Sequence, residues 1–361
     1  MSKPRLIAFY LPQFYPTKEN DEWWQKGFTE WTNVGNARPL FKGHYQPRVP
    51  ADLGYYDLRV PEVREEQAQL AREAGIEGFC YWHYWFAGRR LLDRVFTEVL
   101  ESGKPDFPFC LCWANHSWYQ KTWDPTKPDK LLIEQTYPGE QDYINHFNAM
   151  LPAFRDKRYM SVNGKLLFGL YDPIGISKDE FICFKNTWNR LAKDNGLEGF
   201  LFWGFTYREN QCDEIIKKGF DNVTVDYIYE PFFQVSLFSR CWKRINRFVT
   251  GKPDKIFTYD NYTDCLVRKY DSSKPIFPCL VPNFDHSPRS KERALILHNS
   301  TPQKWGNLCS KILNKCSIPN AGNIVFIKAW NEWGEGNYLE PDMKYKRGYL
   351  DELKKVYDNI E

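Results

Sequence analysis

The sequence predicts an α/β protein, a single (β/α)8 TIM barrel, from three observations. Eight short, near-continuous apolar runs recur along the 361 residues. Stretches with helical spacing lie between most of them, and no run is followed by a Gly-rich G-x-G-x-x-G turn. Near-continuous apolar strands are typical of a parallel sheet covered on both faces. Eight such strands alternating with helices favour a closed barrel over an open doubly wound sheet.

The predicted strands share a high content of aromatic, aliphatic and β-branched residues. They cover residues 5–14, 76–85, 107–115, 165–173, 199–206, 222–230, 276–284 and 323–333. Apolar residues at helical spacing predict helices at 63–74, 91–102, 141–154, 178–195 and 262–272, with one or two more within 287–316. Because we find no internal repeat or Ser/Gly-rich linker, we expect residues 1–361 to form one catalytic domain.

The connection between the first strand and the first helix is unusually long. Residues 15–60 contain no pattern that predicts an element of their own. They do contain many aromatic residues, among them Trp23, Trp24, Phe28, Trp31, Phe41 and Tyr45. Connections longer than about 15 residues in a compact domain are usually lids or binding loops. We therefore expect a long aromatic-rich loop after strand 1.

The composition indicates a sugar ligand and excludes some other partners. Aromatic residues make up 17% of the chain, and many stand in polar, turn-rich stretches. Aromatic faces beside amides and carboxylates suit a hydroxylated ring. The formal charge is only +3, with no basic run that would follow a phosphate backbone, so we expect no nucleic-acid partner.

The cysteines and the apolar runs bear on cellular location. The ten cysteines include no C-x-x-C pair, and most lie in apolar segments, where a free thiol behaves as a small hydrophobe. No window holds about 18 apolar residues, and the first residues do not read as a signal peptide. We therefore expect a cytoplasmic protein without a membrane span.

Polar and aromatic residues cluster where the predicted strands end. In a (β/α)8 barrel the active site lies at the carboxyl ends of the strands. The residues predicted there to contact an oligosaccharide or polysaccharide are Tyr10, Gln13, Tyr81, His83, Trp113, Asn115, His116, Asp285, Trp330, Asn331 and Trp333.

Two glutamates near the end of the last strand are the predicted catalytic pair. Glu332 and Glu335 are three residues apart in the stretch W-N-E-W-G-E, so one tight turn can point both into the same pocket. Glycosidic cleavage needs one protonated and one ionised carboxyl group. Two carboxylates held close together meet this need, because their repulsion raises one pKa. An isolated E-x-x-E is usually a solvated turn, but the strand-end position and the flanking tryptophans favour an active site.

Other candidates have competing interpretations. His83 and His116 lack the spacing of a metal site, so substrate hydrogen bonding or core packing is favoured, and we expect no metal or other cofactor. Asp285 either positions a sugar hydroxyl or caps a turn. Arg289 binds either an anionic group or a surface carboxylate, and the second interpretation is preferred.

Several long motifs resemble one family from end to end. They are LPQFYPTKENDEWWQKGFTEWTNV, RPLFKGHYQP, GIEGFCYWHYWF, FPFCLCWAN and WNEWGEGNYLEPD. Together, from Leu6 to about Leu350, they resemble the WbsX family, bacterial proteins of polysaccharide biosynthesis related to glycoside hydrolase family 99. The resemblance implies a (β/α)8 barrel and retaining cleavage of α-mannosyl- or rhamnosyl-like linkages.

The resemblance also implies a role for each glutamate. Glu332 is the base that takes the proton of the sugar 2-hydroxyl, which attacks the anomeric carbon to form a 1,2-anhydro sugar. Glu335 is the acid that protonates the leaving oxygen and then activates water. The chain departs from the family at W-A-N-H-S-W, where His116 stands in place of an expected glutamate. This change puts subsite specificity in doubt but leaves the catalytic pair intact.

Three classes of function remain open from the sequence. The leading one is a retaining glycoside hydrolase or transglycosylase acting on a bacterial surface polysaccharide. The second is a glycosyltransferase of O-antigen or capsular polysaccharide assembly that uses a nucleotide sugar; it is disfavoured because the chain has no D-x-D metal motif. The third is a carbohydrate-binding protein without turnover, against which both retained glutamates argue.

Overall fold

The eight predicted strands form a closed parallel barrel in the computed structural model, which describes residues 3–120, 128–316 and 323–360. Their bounds are β1 Arg5–Tyr10, β2 Gly78–His83, β3 Phe109–Trp113, β4 Lys165–Leu170, β5 Phe200–Thr206, β6 Asn222–Val225, β7 Ile276–Leu280 and β8 Ile324–Ile327. Each strand pairs in parallel with the next, and β8 pairs with β1. The predicted (β/α)8 barrel is confirmed.

Helices connect the strands, and most of those predicted are present. They are α1 Lys18–Trp23, α2 Glu30–Asn36, α3 Pro61–Glu73, α4 Arg94–Ser102, α5 Glu140–Phe154, α6 Lys178–Asp194, α7 Cys212–Lys218, α8 Glu230–Phe233, α9 Leu237–Thr250, α10 Tyr259–Lys269, α11 Ser287–Ser290, α12 Pro302–Cys316 and α13 Gly348–Asp358. The helices α1, α2, α7, α8, α9 and α13 are absent from the sequence prediction. The seven-residue helix α7 is too short for a clear helical period, whereas α9 and α13 do carry apolar residues at helical spacing that the prediction overlooked.

The long connection after β1 is present, but it is not without structure. It contains α1 and α2, both started by threonine side chains. The Thr17 hydroxyl accepts a hydrogen bond from the backbone of Asn20 at 3.1 Å, and Thr29 and Thr32 form a capping box. Such caps satisfy the first N–H groups of a helix, so they stabilise helices too short for a clear apolar period. The expectation of a structureless loop is therefore corrected.

The connection between β6 and β7 is the other large excursion on the carboxyl side. It contains α8, α9, a strand at Lys255–Thr258 and α10. That strand pairs with a second short strand, Leu295–His298, which also pairs with Phe284–Asp285 after β7. The resulting three-stranded sheet ties the two connections together beside the mouth of the barrel.

Large aromatic side chains fill the barrel below its mouth. Phe9 of β1 stacks on Trp82 of β2 at 4.7 Å between ring centroids, and Trp203 packs on Phe326 at 4.5 Å. Rings of this size bury about 150–250 Å² each. The barrel interior is therefore a packed core, and a ligand can enter only above it.

The apolar segments are used for packing. In the described part of the chain no helix has the length and hydropathy needed to cross a membrane. All ten cysteines are free thiols, and eight of them are buried.

Candidate active site

A cavity of about 640 Å³ opens at the carboxyl ends of the barrel strands. Aromatic residues form much of its wall: Trp23, Trp24, Phe28, Trp82, Tyr84, Trp118, Tyr119, Tyr171 and Tyr207. The charged and titratable residues that line it are Glu30, His116, His286, Arg289, Lys328, Glu332 and Glu335. The cavity therefore combines flat apolar faces with a dense charge cluster, as a pocket for a hydroxylated ring requires.

Both predicted catalytic glutamates lie in this cavity and share one arginine. Arg289 Nη2 donates to Glu332 Oε1 at 2.7 Å, and Arg289 Nη1 donates to Glu335 Oε1 at 3.0 Å. The same guanidinium contacts Glu30 Oε2 at 2.9 Å. One partly buried cation thus holds three carboxyl groups within a few ångströms of one another.

A second cation approaches from the opposite side of the pair. Lys328 Nζ lies 3.4 Å from Glu335 Oε2 and 3.4 Å from Asp226 Oδ2. It also donates to the Tyr207 hydroxyl at 3.0 Å. Burial disfavours its charge, but Tyr207, Glu335 and Asp226 raise the pKa of Lys328 well above its ordinary value. Lys328 is therefore an ammonium ion directed at Glu335.

These surroundings drive the two glutamate pKa values apart. Burial, together with the charges of Glu335 and Glu30, raises the pKa of Glu332 to about 8 against the opposing effect of Arg289. Burial alone would raise the pKa of Glu335, but Lys328 and Arg289 outweigh it and lower that pKa to about 2. At neutral pH the pair therefore holds one proton, and in the free site that proton lies on Glu332.

A short 3-10 turn, Trp333–Glu335, places the two carboxylates side by side. The N–H of Glu335 donates to the Glu332 carbonyl at 3.3 Å. Gly334, between them, has no room for a side chain, because a Cβ there would collide with Glu30 and Arg289. Gly336 ends the turn with φ 63°, a left-handed conformation that glycine adopts without strain.

Of the residues predicted from the sequence, four line the cavity: Gln13, His116, Glu332 and Glu335. Gln13 also donates to Glu30 Oε1 at 3.3 Å, which ties the start of the long connection to the charge cluster. The His116 ring lies 5.0 Å from that of Tyr171, and burial lowers the pKa of His116. Direct ligand contact by Gln13 and His116 remains a prediction.

Two predicted asparagines instead fasten neighbouring strand ends. The Asn331 side chain accepts from the Leu11 N–H at 2.7 Å and donates to the Leu11 carbonyl at 3.0 Å. Asn115 does the same with Asp172, accepting from its N–H and donating to its carbonyl, both at 2.8 Å. Each side-chain amide takes the place of a backbone hydrogen-bond partner beyond the last paired residues of the sheet. Neither residue lines the cavity, but both affect its shape by holding neighbouring strand ends together.

Tyr10 and Trp333 belong to a buried hydrogen-bond chain beneath the glutamate turn. The Tyr10 hydroxyl donates to Gln67, and Gln67 donates to Glu340 at 2.6 Å. The Trp333 indole N–H donates to the other oxygen of Glu340 at 2.5 Å. Burial raises the pKa of Glu340 to about 7, despite these donors. The predicted ligand-facing residues Tyr10 and Trp333 thus hold the turn from behind.

Asp285 fastens the long connection to the barrel mouth. Its carboxylate accepts from Gln46 at 2.7 Å and from the Ser287 N–H at 3.0 Å, and it lies 2.8 Å from His44 Nε2. Burial opposes ionisation, but His44 and Arg48 lower the pKa of Asp285 to about 2. Of the two interpretations of Asp285, the structural one fits these contacts, since its oxygens are occupied by protein groups.

The other predicted residues are packed behind the cavity wall. His83 Nε2 and His146 Nε2 are 2.7 Å apart, and burial lowers the pKa of His83 to about 3, so the pair is neutral. The Trp113 indole donates to the Trp85 carbonyl at 3.0 Å. The two remaining residues, Tyr81 and Trp330, are buried in the aromatic core. Core packing, one of the interpretations of His83, accounts for its position.

The most consequential residues of the cluster were not assigned from the sequence. The sequence favours a surface carboxylate as the partner of Arg289, and instead Arg289 is partly buried against three glutamates. Lys328 directly follows β8 within an otherwise apolar run. A charged residue in that position could have indicated a site residue. Glu30 follows the aromatic stretch of the long connection. Its pairing with Arg289, 259 residues away, has no local signal.

The chain is a (β/α)8 barrel with a cavity at the carboxyl ends of its strands. At the level of fold it is similar to a GH99 endo-α-mannosidase of Bacteroides thetaiotaomicron, with a TM-score of 0.59, 14% identity, and coverage of 98% of this chain and 96% of that one. A structure described as a glycoside hydrolase-like protein is similar to the same degree, with a TM-score of 0.59, 14% identity, and coverage of 99% and 94%.

The chain belongs to the family described as Glycosyltransferase WbsX, whose model matches residues 6–353. It is 34% identical over 370 residues to the uncharacterized protein WxcX of Xanthomonas campestris pv. campestris strain B100. The alignment covers 97% of this chain and 49% of that protein, so the chain spans about half the length of the curated relatives it matches. The family resemblance expected from the motifs is confirmed.

Proposed function

We propose that the chain is a retaining glycoside hydrolase or transglycosylase acting on α-mannosyl- or rhamnosyl-like linkages of a bacterial surface polysaccharide. The observation that supports this most directly is the shared proton of Glu332 and Glu335 in a cavity walled by aromatic rings. Cleavage of a glycosidic bond needs one carboxyl group to give a proton while its partner accepts one. The pair holds one proton at neutral pH.

The reaction proceeds in two balanced steps. In the first, a carboxylate removes the proton of the sugar 2-hydroxyl, and O2 attacks the anomeric carbon as the glycosidic C–O bond breaks. The partner carboxyl protonates the leaving oxygen. In the second, that partner takes a proton from water, which opens the 1,2-anhydro ring, and O2 recovers its proton. Two inversions at the anomeric carbon leave its configuration retained.

We assign Glu332 as the base and Glu335 as the acid, as the family resemblance implies. Because the proton of the free site lies on Glu332, this assignment requires it to move to Glu335 when the sugar binds. Arg289 contacts both carboxylates and therefore stabilises either singly protonated form. Lys328, beside Glu335, keeps the proton on Glu332 in the free site.

A substrate with an activated leaving group separates the two roles. A fluoride or dinitrophenyl leaving group departs without a proton, so it bypasses the acid in the first step. We expect Glu335→Gln to retain much of its first-step rate on such a substrate, and Glu332→Gln to be inactive on every substrate. The reverse pattern would exchange the two roles, and equal wild-type rates in both variants would end the two-glutamate proposal.

The family description supports a second candidate, transfer from a nucleotide sugar during O-antigen or capsular polysaccharide assembly. The two candidates differ in the ligand that the cavity binds. A ligand that binds only the native state raises its melting temperature by mass action. The Glu335→Gln variant would be melted with nucleotide sugars, and separately with mannose- or rhamnose-containing oligosaccharides and matching iminosugars. Stabilisation by oligosaccharides or iminosugars supports the glycosidase, and stabilisation by a nucleotide sugar alone refutes it.

A further inference from the structure

Helix α9 presents four apolar side chains outward. Phe238, Trp242, Ile245 and Val249 follow one another at intervals of four, three and four residues, so they form one stripe along the helix. Their exposed fractions are 84%, 67%, 57% and 79%. A surface helix normally turns such a stripe toward the core. The stripe of α9 instead lacks a covering element within the described residues.

The opposite side of α9 faces the protein and carries arginines. Arg240 donates to the Phe233 carbonyl at 2.7 Å, and its guanidinium stacks over Phe232 at 4.5 Å. Arg247 pairs with Asp254 at 3.0 Å. These polar contacts at the back of the helix therefore set the outward direction of the stripe. In an ordinary surface helix the polar side would instead face the solvent.

Basic residues predominate around the stripe. Residues 231–253 contain five cationic residues, Arg240, Lys243, Arg244, Arg247 and Lys252, and no acidic residue. The chain as a whole has nearly balanced charge, at +3. A second copy of this face would repel it, whereas an anionic surface would attract it.

We propose that α9 docks the protein on an anionic membrane surface, with the stripe of Phe238, Trp242, Ile245 and Val249 inserted among the lipid headgroups. An apolar face with Trp and Phe, opposed by a face rich in basic residues, is the composition of helices that lie in a membrane interface. The basic residues add attraction to anionic lipids. This surface goes beyond the proposed function and does not depend on it.

The docking surface lies on the catalytic side of the barrel. Helix α9 belongs to the β6–β7 connection, which leaves β6 at its carboxyl end. Arg244 and Arg247 line a small cavity together with His286, which also lines the catalytic cavity. Docking through α9 would therefore bring the mouth of the active site near the membrane surface, where a membrane-attached glycan would be within reach.

Vesicle binding tests the proposal without measuring turnover. The wild-type protein would be sedimented with phosphatidylcholine vesicles and with vesicles in which about a third of the lipid is phosphatidylglycerol. We expect binding mainly to the anionic vesicles, weakened by salt. The double variant Phe238→Ser/Trp242→Ser should bind about tenfold or more weakly, because it loses the largest side chains of the stripe.

Two controls separate docking from general surface effects. Ile182→Ser/Met343→Ser removes exposed apolar side chains elsewhere and should bind like the wild type. Arg244→Gln/Lys252→Gln should lose most of the preference for anionic lipid. The proposal is overturned if anionic vesicles are not bound, if the Phe238/Trp242 double variant binds as well as wild type, or if size-exclusion chromatography shows a dimer that this variant dissociates.

Discussion

Removal of Arg289 should destabilise the protein strongly, and more so at high pH. Its guanidinium is largely buried, with the side chain 22% exposed, and contacts Glu30, Glu332 and Glu335 at 2.7–3.0 Å. In Arg289→Gln these carboxylates lose their common cation. Breaking a buried charge pair costs about 3–5 kcal/mol, since an uncompensated charge remains in the interior. A 361-residue chain unfolds with an entropy of about 0.76 kcal/mol/K, so the melting temperature should fall by about 4–7 °C.

The sign of the pH dependence follows from the effect of Arg289 on its partners. Arg289 lowers the pKa of both Glu332 and Glu335. Without it, the folded-state pKa of each glutamate rises relative to the unfolded chain, and a raised carboxyl pKa favours folding at low pH and opposes it at high pH. The deficit of Arg289→Gln should therefore be largest near pH 8 and smaller near pH 5.

Thermal melts of wild type and variant across this pH range test the reasoning. The matched control is Arg190→Gln, because Arg190 makes an exposed pair with Glu140 at 3.0 Å. Exposed pairs contribute about 0–1 kcal/mol, so the control should change the melting temperature little at any pH. If Arg289→Gln behaves like this control, or is destabilised more at pH 5 than at pH 8, the charge cluster does not hold the site together.

Three further outcomes follow from the site. The kcat/KM of the wild type should fall about tenfold per pH unit above pH 8, because the shared proton is lost from Glu332; a flat profile to pH 10 would contradict one-proton catalysis. Gly334→Ala should lower kcat by about tenfold or more by displacing Glu30 and Arg289, whereas Gly35→Ala, in open space and without a left-handed backbone, serves as a folding control. Asn331→Ala should reduce both stability, by about 1–3 kcal/mol, and activity, since the Leu11 backbone loses both partners; unchanged melting and kinetics would refute that role.

The barrel could be predicted because its evidence is local. A strand covered on both faces needs a continuous apolar run, and β1 and β8 show such runs in the sequence. The evidence for the position of the glutamate pair was also local, since a three-residue spacing after a strand fits one turn. The short helices of the long connection were missed because side-chain caps, rather than apolar spacing, start them.

The division of the strand-end residues between cavity and support was not predictable from the sequence. Tyr10 ends β1 and Gln13 follows it closely, yet Gln13 lines the cavity, while the Tyr10 hydroxyl points to Gln67 behind it. Side chains alternate between the two faces of a strand, but the strands end and twist where the cavity begins. Which direction meets the cavity depends on neighbours from distant parts of the chain.

The sequence by itself determined the class of fold, the aromatic character of the site, and the placement of Glu332 and Glu335 at the end of the last strand. Only the tertiary structure decided their chemistry. Arg289 and Lys328 reach the pair from separate connections, and Glu30 arrives from the other end of the chain. A pKa depends on burial and on charges within a few ångströms, and these distances exist only after the chain has folded.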